Sequence, residues 1–325
     1  MEDIKAQLYQ MFILGLDEEG KYEKLLENGL GGVIFFTKDI KSAKQFSDLI
    51  CNIKAKSQIT PFLSIDQEGG RVERTENIHK GKKYLSAKYA YEKGKKFLEG
   101  QTQEIAKELK TYGINLNFAP CIDTNTNPQN PIIGERAFSS NPDDVIDGGK
   151  IVSKIYRSNG IIPCAKHYPG HGDANADSHL TLPVIDLPLS DMEKIHIKPF
   201  KAVVDDGIEM IMAAHLHCTC FEKEPIPTSL SKNAISYLRE KLHFNGVIIS
   251  DDMVMKGVSN FGELQACVMG IKAGINLFIY RNCDDKTIDI IEQVYKLALK
   301  DEELAKCIKF SYNKIMELKK KFDLL

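Results

Sequence analysis

Tryptophan is absent from all 325 residues of this chain. The broadest aromatic platform for stacking a ligand is therefore missing, and recognition is left to hydrogen bonds and charge. No charge sign dominates either: 43 lysines and arginines stand against 45 acids, a formal net charge of -2. Such a balance makes no long-range field for nucleic acid or an anionic membrane, so neither is an expected partner. No apolar run approaches the ~20 residues that span a bilayer. The opening stretch, MEDIKAQLYQ, carries acids where a signal peptide carries bases. The eight cysteines are scattered and show no paired C-x-x-C spacing. Cys121, Cys164 and Cys267 fall in apolar stretches and read as reduced core thiols, which points to a cytoplasmic location. Cys218 and Cys220, in HLHCTC, form a conceivable metal or redox pair that lacks the ligand spacing of zinc modules.

What the chain does have is 43% hydrophobic content in short apolar runs alternating with helical patterns. Strand candidates are Met11–Leu16, Gly32–Thr37, Pro61–Asp66, Leu116–Asp123, Ile161–His167, Glu209–His215, Gly246–Asp251 and Ile275–Tyr280. Helical stretches include Thr102–Tyr112, Pro142–Asn159, Leu189–Asp206, Lys232–Leu242 and Leu264–Ala273. Alternation of this kind predicts a parallel sheet with crossover helices, and eight units predict one closed (β/α)8 barrel of the TIM type. The tail, Asp301–Leu325, reads as one or two amphipathic helices outside the barrel. No linker or repeat divides the chain, so residues 1–325 are expected to form a single domain.

Polar residues fall where such a barrel gathers its chemistry, at the C-terminal ends of the strands. Asp66 ends the third candidate strand, Asp123 the fourth, Lys166 and His167 the fifth. His215, Asp251 and Arg281 end the last three. The densest segment is KHYPGHGDANADSHLTLP, Lys166–Pro183, where a buried strand runs into a long polar loop. Asp177 and His179 sit two residues apart, a spacing that suits a carboxylate orienting an imidazole for proton transfer. Gly170 and Gly172 let the backbone turn and move, so the loop is expected to be mobile without ligand and to carry His179 inward once one binds. A metal site built from His167, His171, His215 and His217 is the competing reading, although their spacings match no known ligand pattern.

Several motifs in order resemble glycoside hydrolase family 3, in its single-domain β-N-acetylglucosaminidase branch. They are SIDQEGGRVER (Ser64–Arg74), NFAPCIDTNTNPQNPIIGERAF (Asn117–Phe138), KHYPGHGDANADSH (Lys166–His179), PTSLS (Pro227–Ser231) and SDDMVMKG (Ser250–Gly257). The resemblance implies Asp251 as nucleophile of a retaining reaction, His179 as general acid/base and Asp177 as its orienting partner. It implies sugar contacts from Asp66, Arg74, Arg136, Lys166 and His167, and a supporting place for Asp252. It implies neither cofactor nor metal, and a small sugar substrate: a GlcNAc-containing muropeptide or disaccharide met in cell-wall recycling. A β-N-acetylglucosaminide phosphorylase of the same family is the nearest alternative, since a neutral imidazole repels phosphate less than a carboxylate does. Tyr168, the MVM after SDD and the AHLHC segment depart from the family's usual residues, which leaves subsite detail open.

Overall fold

The computed structural model describes residues 3–17, 19–79, 81–174 and 182–325. Eight parallel strands close into a barrel. They are β1 (Phe12–Leu14), β2 (Gly32–Phe35), β3 (Phe62–Ile65), β4 (Leu116–Asn117), β5 (Ile162–Tyr168), β6 (Met210–Ala213), β7 (Val247–Asp252) and β8 (Leu277–Tyr280). Each strand pairs with its neighbours in chain order, and β8 returns to β1 with Phe12 opposite Phe278. Every residue of β1 to β6 and β8 is buried, as expected for strands with a filled barrel inside and helices outside.

The strands begin where asparagines stand in for ladder partners. Asn115 accepts from the Leu63 amide at 2.8 Å and donates to the Pro61 carbonyl at 3.0 Å, just before β4. Asn276 does comparable work before β8, accepting from the Ile248 amide at 2.9 Å and from Arg239 Nη2 at 2.7 Å. The predicted fourth strand runs to Asp123, whereas the ladder stops at Asn117 and resumes only as a bridge from Cys121 to Lys166. Pro120 has no N–H to donate, so the segment cannot pair continuously.

The helix predicted over Leu189–Asp206 is interrupted as well. A short turn over Leu189–Asp191 passes through wide π-type bonding at Met192–His196 into a helix at Ile197–Asp205. Pro199 lacks the N–H that the Ile195 carbonyl would take four residues back. Thr124 Oγ1, from the loop after β4, donates to that carbonyl instead at 3.2 Å. The tail folds as one long helix, Glu302–Lys321. From it Lys319 reaches under the barrel, donating to Gln10 Oε1 at 2.7 Å and the Gly31 carbonyl at 3.2 Å, with its ammonium 4.9 Å from the Phe62 ring centroid. Among the described residues no helix is long and apolar enough to cross a membrane.

The seam between the first and last strands is tight at Gly15, whose amide donates to the Tyr280 carbonyl at 2.8 Å. A Cβ at this position would lie 1.9 Å from the Arg281 carbonyl oxygen. Backbone cannot yield as a side-chain tip can, so Gly15→Ala is expected to lose about 1–3 kcal/mol, the usual cost of overpacking. The urea midpoint measures it; an unchanged midpoint would mean that the seam opens freely.

Candidate active site

Of the strand-end residues, Asp66, Lys166, His167, Asp251 and Arg281 line one cavity of about 610 Å³ at the C-terminal end of the barrel, whereas Asp123 and His215 are buried behind it. Asp66, Arg74, Arg136, Lys166, His167 and Asp251 line it together, although they are spread over nearly two hundred residues of sequence. Asp177 and His179 lie outside the described residues, as does most of the loop expected to move. Its approaches are described. Asp173 accepts from Thr126 Oγ1 at 2.9 Å on one side, and the Pro183 carbonyl accepts from the His217 amide at 2.8 Å on the other. Val184–Ile185 then pairs with His217–Cys218 in a two-stranded sheet that the sequence reading did not foresee.

An alternating chain of charges forms the cavity wall. Lys166 Nζ lies 2.7 Å from Asp66 Oδ1 and 2.6 Å from Glu68 Oε1. Glu68 also takes a two-pronged contact from Arg136, Nε at 2.9 Å and Nη2 at 2.8 Å. Arg136 Nη2 lies 3.2 Å from His167 Nε2, and His167 Nδ1 lies 2.6 Å from Asp123 Oδ2. Arginine only donates, so Nε2 accepts and the imidazole proton sits on Nδ1, facing Asp123. Asp123 also accepts from the His171 amide at 2.6 Å.

These contacts set the protonation states. Burial pushes the Glu68 carboxyl up, but Arg136 and Lys166 outweigh it and hold the group well below the usual carboxylate range. Burial likewise opposes ionisation of Asp123, and His167, His171 and backbone N–H groups overcome it. For Asp251 the balance is the same in kind. Burial raises it, while His215, His167, the Asp252 amide and Lys166 bring it below its ordinary value. A carboxylate at the cavity floor is thus kept ionised. Asp252 beside it is raised by burial, against the pull of Arg281, with which it is paired.

Asp251 is positioned by its neighbours rather than by a helix. One of its oxygens accepts from the Asp252 amide at 2.8 Å. His215 Nε2 lies 3.1 Å from the Asp252 carbonyl and its Nδ1 lies 2.7 Å from Ser229 Oγ. The ring therefore donates to the backbone and accepts from the serine. Burial lowers the pKa of His215, which favours the neutral ring whose Nδ1 accepts from the serine. This gives the PTSLS motif a physical task, since its Ser229 orients the imidazole that grips the chain beside Asp251. His167, His171, His215 and His217 do not converge on one point; among the described residues only His167 belongs to a metal-capable group.

Three positions escaped the sequence reading. Glu68 was legible only as an acid inside a glycine-rich stretch. Gln67 fixes the loop after β3, its Oε1 accepting from the Arg74 amide at 2.7 Å. His79 braces that loop from behind, lying between Glu73 at 2.7 Å and Glu108 at 2.8 Å. Among the described residues, the buried Nε of Arg74 and both ring nitrogens of the buried His171 meet no partner. Both side chains line the cavity.

Residues 3–315 match the family described as Glycosyl hydrolase family 3 N terminal domain, and the chain belongs to that family. A beta-hexosaminidase of Nitrosomonas eutropha is 30% identical over 276 residues, covering 81% of this chain and 76% of its own length. Beta-hexosaminidase A of Pseudoalteromonas piscicida is 32% identical over 270 residues, covering 76% of this chain. The solved structure of a glycoside hydrolase family 3 beta-N-acetylglucosaminidase from Paenibacillus sp. superposes with a TM-score of 0.92 at 27% identity, over 100% of this chain. The chain spans only 45% of the Pseudoalteromonas protein and 63% of the Paenibacillus one.

Glu68 gives a direct test of the charge chain. Glu68→Gln strands Lys166 and Arg136 without their shared anion, and a broken buried pair costs about 3–5 kcal/mol. The folded pKa of Glu68 is depressed, so its contribution is full above the unfolded value of about 4.3 and fades only below it. Urea midpoints of wild type and variant should differ equally at neutral and mildly acidic pH, then converge below about pH 4. A gap that closes well above that pH would mean that Glu68 is not held ionised.

Proposed function

We propose that the chain is a retaining exo-β-N-acetylglucosaminidase that removes terminal GlcNAc from small cell-wall fragments. The observation that carries the reading is the ionised Asp251 carboxylate on the floor of a cavity walled by fixed hydrogen-bonding groups. Family membership and the names of the relatives support a glycosidase acting on N-acetylhexosaminides. All eight cysteines are free and five of them are buried, which supports a reducing, cytoplasmic setting.

In this reading Asp251 attacks the anomeric carbon as the bond to the leaving oxygen breaks, and a covalent glycosyl ester forms. His179 donates a proton to the departing oxygen. The neutral imidazole then takes a proton from the water that releases the sugar, with inversion at each step and retention overall. Asp177 holds the tautomer and stabilises the imidazolium. Asp66, Arg74, Arg136, Lys166 and His167 hold the sugar hydroxyls. The ion pairs among them keep these groups in place before the ligand arrives, so little reorganisation is needed at reaction.

The acceptor is tested by product analysis. An aryl β-GlcNAc should be turned over faster than the aryl β-glucoside and should yield free GlcNAc in both phosphate and phosphate-free buffer. Sugar 1-phosphate as the main product in phosphate would instead establish the phosphorylase.

Asp251→Asn should lower turnover by several orders of magnitude and abolish trapping of a glycosyl-enzyme. Retention of more than about a tenth of wild-type turnover would remove Asp251 from the nucleophile role. His179→Ala should spare glycosylation by activated aryl glycosides, which leave without a proton, yet slow deglycosylation by about a hundred- to ten-thousand-fold. A burst followed by a slow steady state is the expected trace, weaker in form for Asp177→Ala. Equal losses on activated and unactivated substrates, without a burst, would make the loop structural.

A further inference from the structure

His167 faces the cavity with one edge and a second group of side chains with the other. Asp123 Oδ2 lies 2.6 Å from His167 Nδ1 and 3.2 Å from Cys121 Sγ. All three side chains are buried, and their candidate ligand atoms lie within 4.8 Å of one another. Thiol, carboxylate and imidazole are the donor types that zinc and similar borderline cations take. A small cavity of about 30 Å³ touches Cys121, Glu68 and Arg136 and gives the thiol room to shift.

We propose that Cys121, Asp123 and His167 form an inhibitory binding site for a thiophilic divalent cation such as zinc. The inhibition follows from where the protons must go. In the metal-free protein Asp123 Oδ2 accepts from the Cys121 thiol and from the His167 ring. When the cation binds, the thiol proton is released to solvent, and the imidazole proton passes through solvent from Nδ1 to Nε2. The cation brings two positive charges and one proton departs, leaving the cluster one unit more positive.

Nε2–H then points at Arg136 Nη2, 3.2 Å away. Two donors cannot share that contact. Arg136 is held by its two bonds to Glu68, so His167 must turn or Arg136 must leave its carboxylate. Either movement dismantles the cavity wall, and sugar and cation become mutually exclusive.

The inhibition readout rests on the glycosidase reading above, whereas direct binding does not, so the two can fail separately. Zinc is titrated in metal-free, non-chelating buffer against hydrolysis of an aryl β-GlcNAc, and its affinity is measured by competition with a chromophoric chelator. Wild type should be inhibited. Cys121→Ser, which keeps a donor to Asp123 but is a poor ligand, should retain basal turnover and weaken zinc binding at least about tenfold, the low end of the cost of even an outer-shell change.

Cobalt(II) supplies a signature that needs no variant. Wild type should show a near-ultraviolet thiolate-to-cobalt band and the visible bands of a four-coordinate ion. Those bands should survive Cys218→Ser/Cys220→Ser and vanish in Cys121→Ser. Zinc inhibition unchanged by Cys121→Ser, as it would be if His179 captured the ion, overturns the proposal. So does the absence of zinc binding, or a cobalt spectrum without the thiolate band.

Discussion

Glu68 is a single carboxylate placed between Lys166, on β5, and Arg136, in the loop after β4. Two buried cations so close together would repel each other, and neither would be tolerated in a low-dielectric wall without an anion. Shared between them, Glu68 draws two loops and the end of β5 to one point. It follows β3 directly, so the position of β3 in the barrel decides where both cations can stand. Arg136 then fixes the His167 tautomer, and His167 in turn locks onto Asp123. The electrostatics of Asp251 rest on the same chain, because Lys166 helps to keep that carboxylate ionised.

The barrel was legible because its strands are short and apolar, and because helical patterns alternate with them along the chain. Seven of the eight strand candidates match the observed ladders apart from their ends. The fourth does not, since a period-two apolar pattern cannot register that Pro120 withholds a donor. The stretch around Pro199 failed for the same reason. Its amphipathic pattern is helical throughout, and only the location of Thr124 Oγ1 shows how the orphaned Ile195 carbonyl is satisfied. The sheet of Val184–Ile185 with His217–Cys218 was invisible because each strand is two residues long and the pairing is between distant segments.

The site was legible to the extent that its residues end strands. Asp66, Lys166, His167 and Asp251 stand out because a charge at the end of an apolar run is costly unless it has work to do. Arg74 and Arg136 lie in loops and came only with the family resemblance. Glu68, Gln67, Ser229 and His79 act through other side chains, and the signal for that is a distance rather than a pattern. His215 shows the difference well. As a strand-end residue it looked like a ligand or a catalyst, whereas its two ring nitrogens are committed to Ser229 and the backbone at Asp252.

The last helix has a consequence for how the molecule can be handled. Lys319 is fastened beneath the barrel to Gln10 and Gly31, and the first helix, Ile4–Tyr9, packs against the same last helix. Both ends of the described chain therefore emerge at the floor of the barrel, while the cavity opens at its roof. A tether, a fluorescent label or a solid support joined to either end would present the mouth of the cavity outward. A fused partner would sit about a barrel's height away from the cavity mouth. Orientation on a surface is thus built into the path of the chain, without any change to the residues that line the cavity.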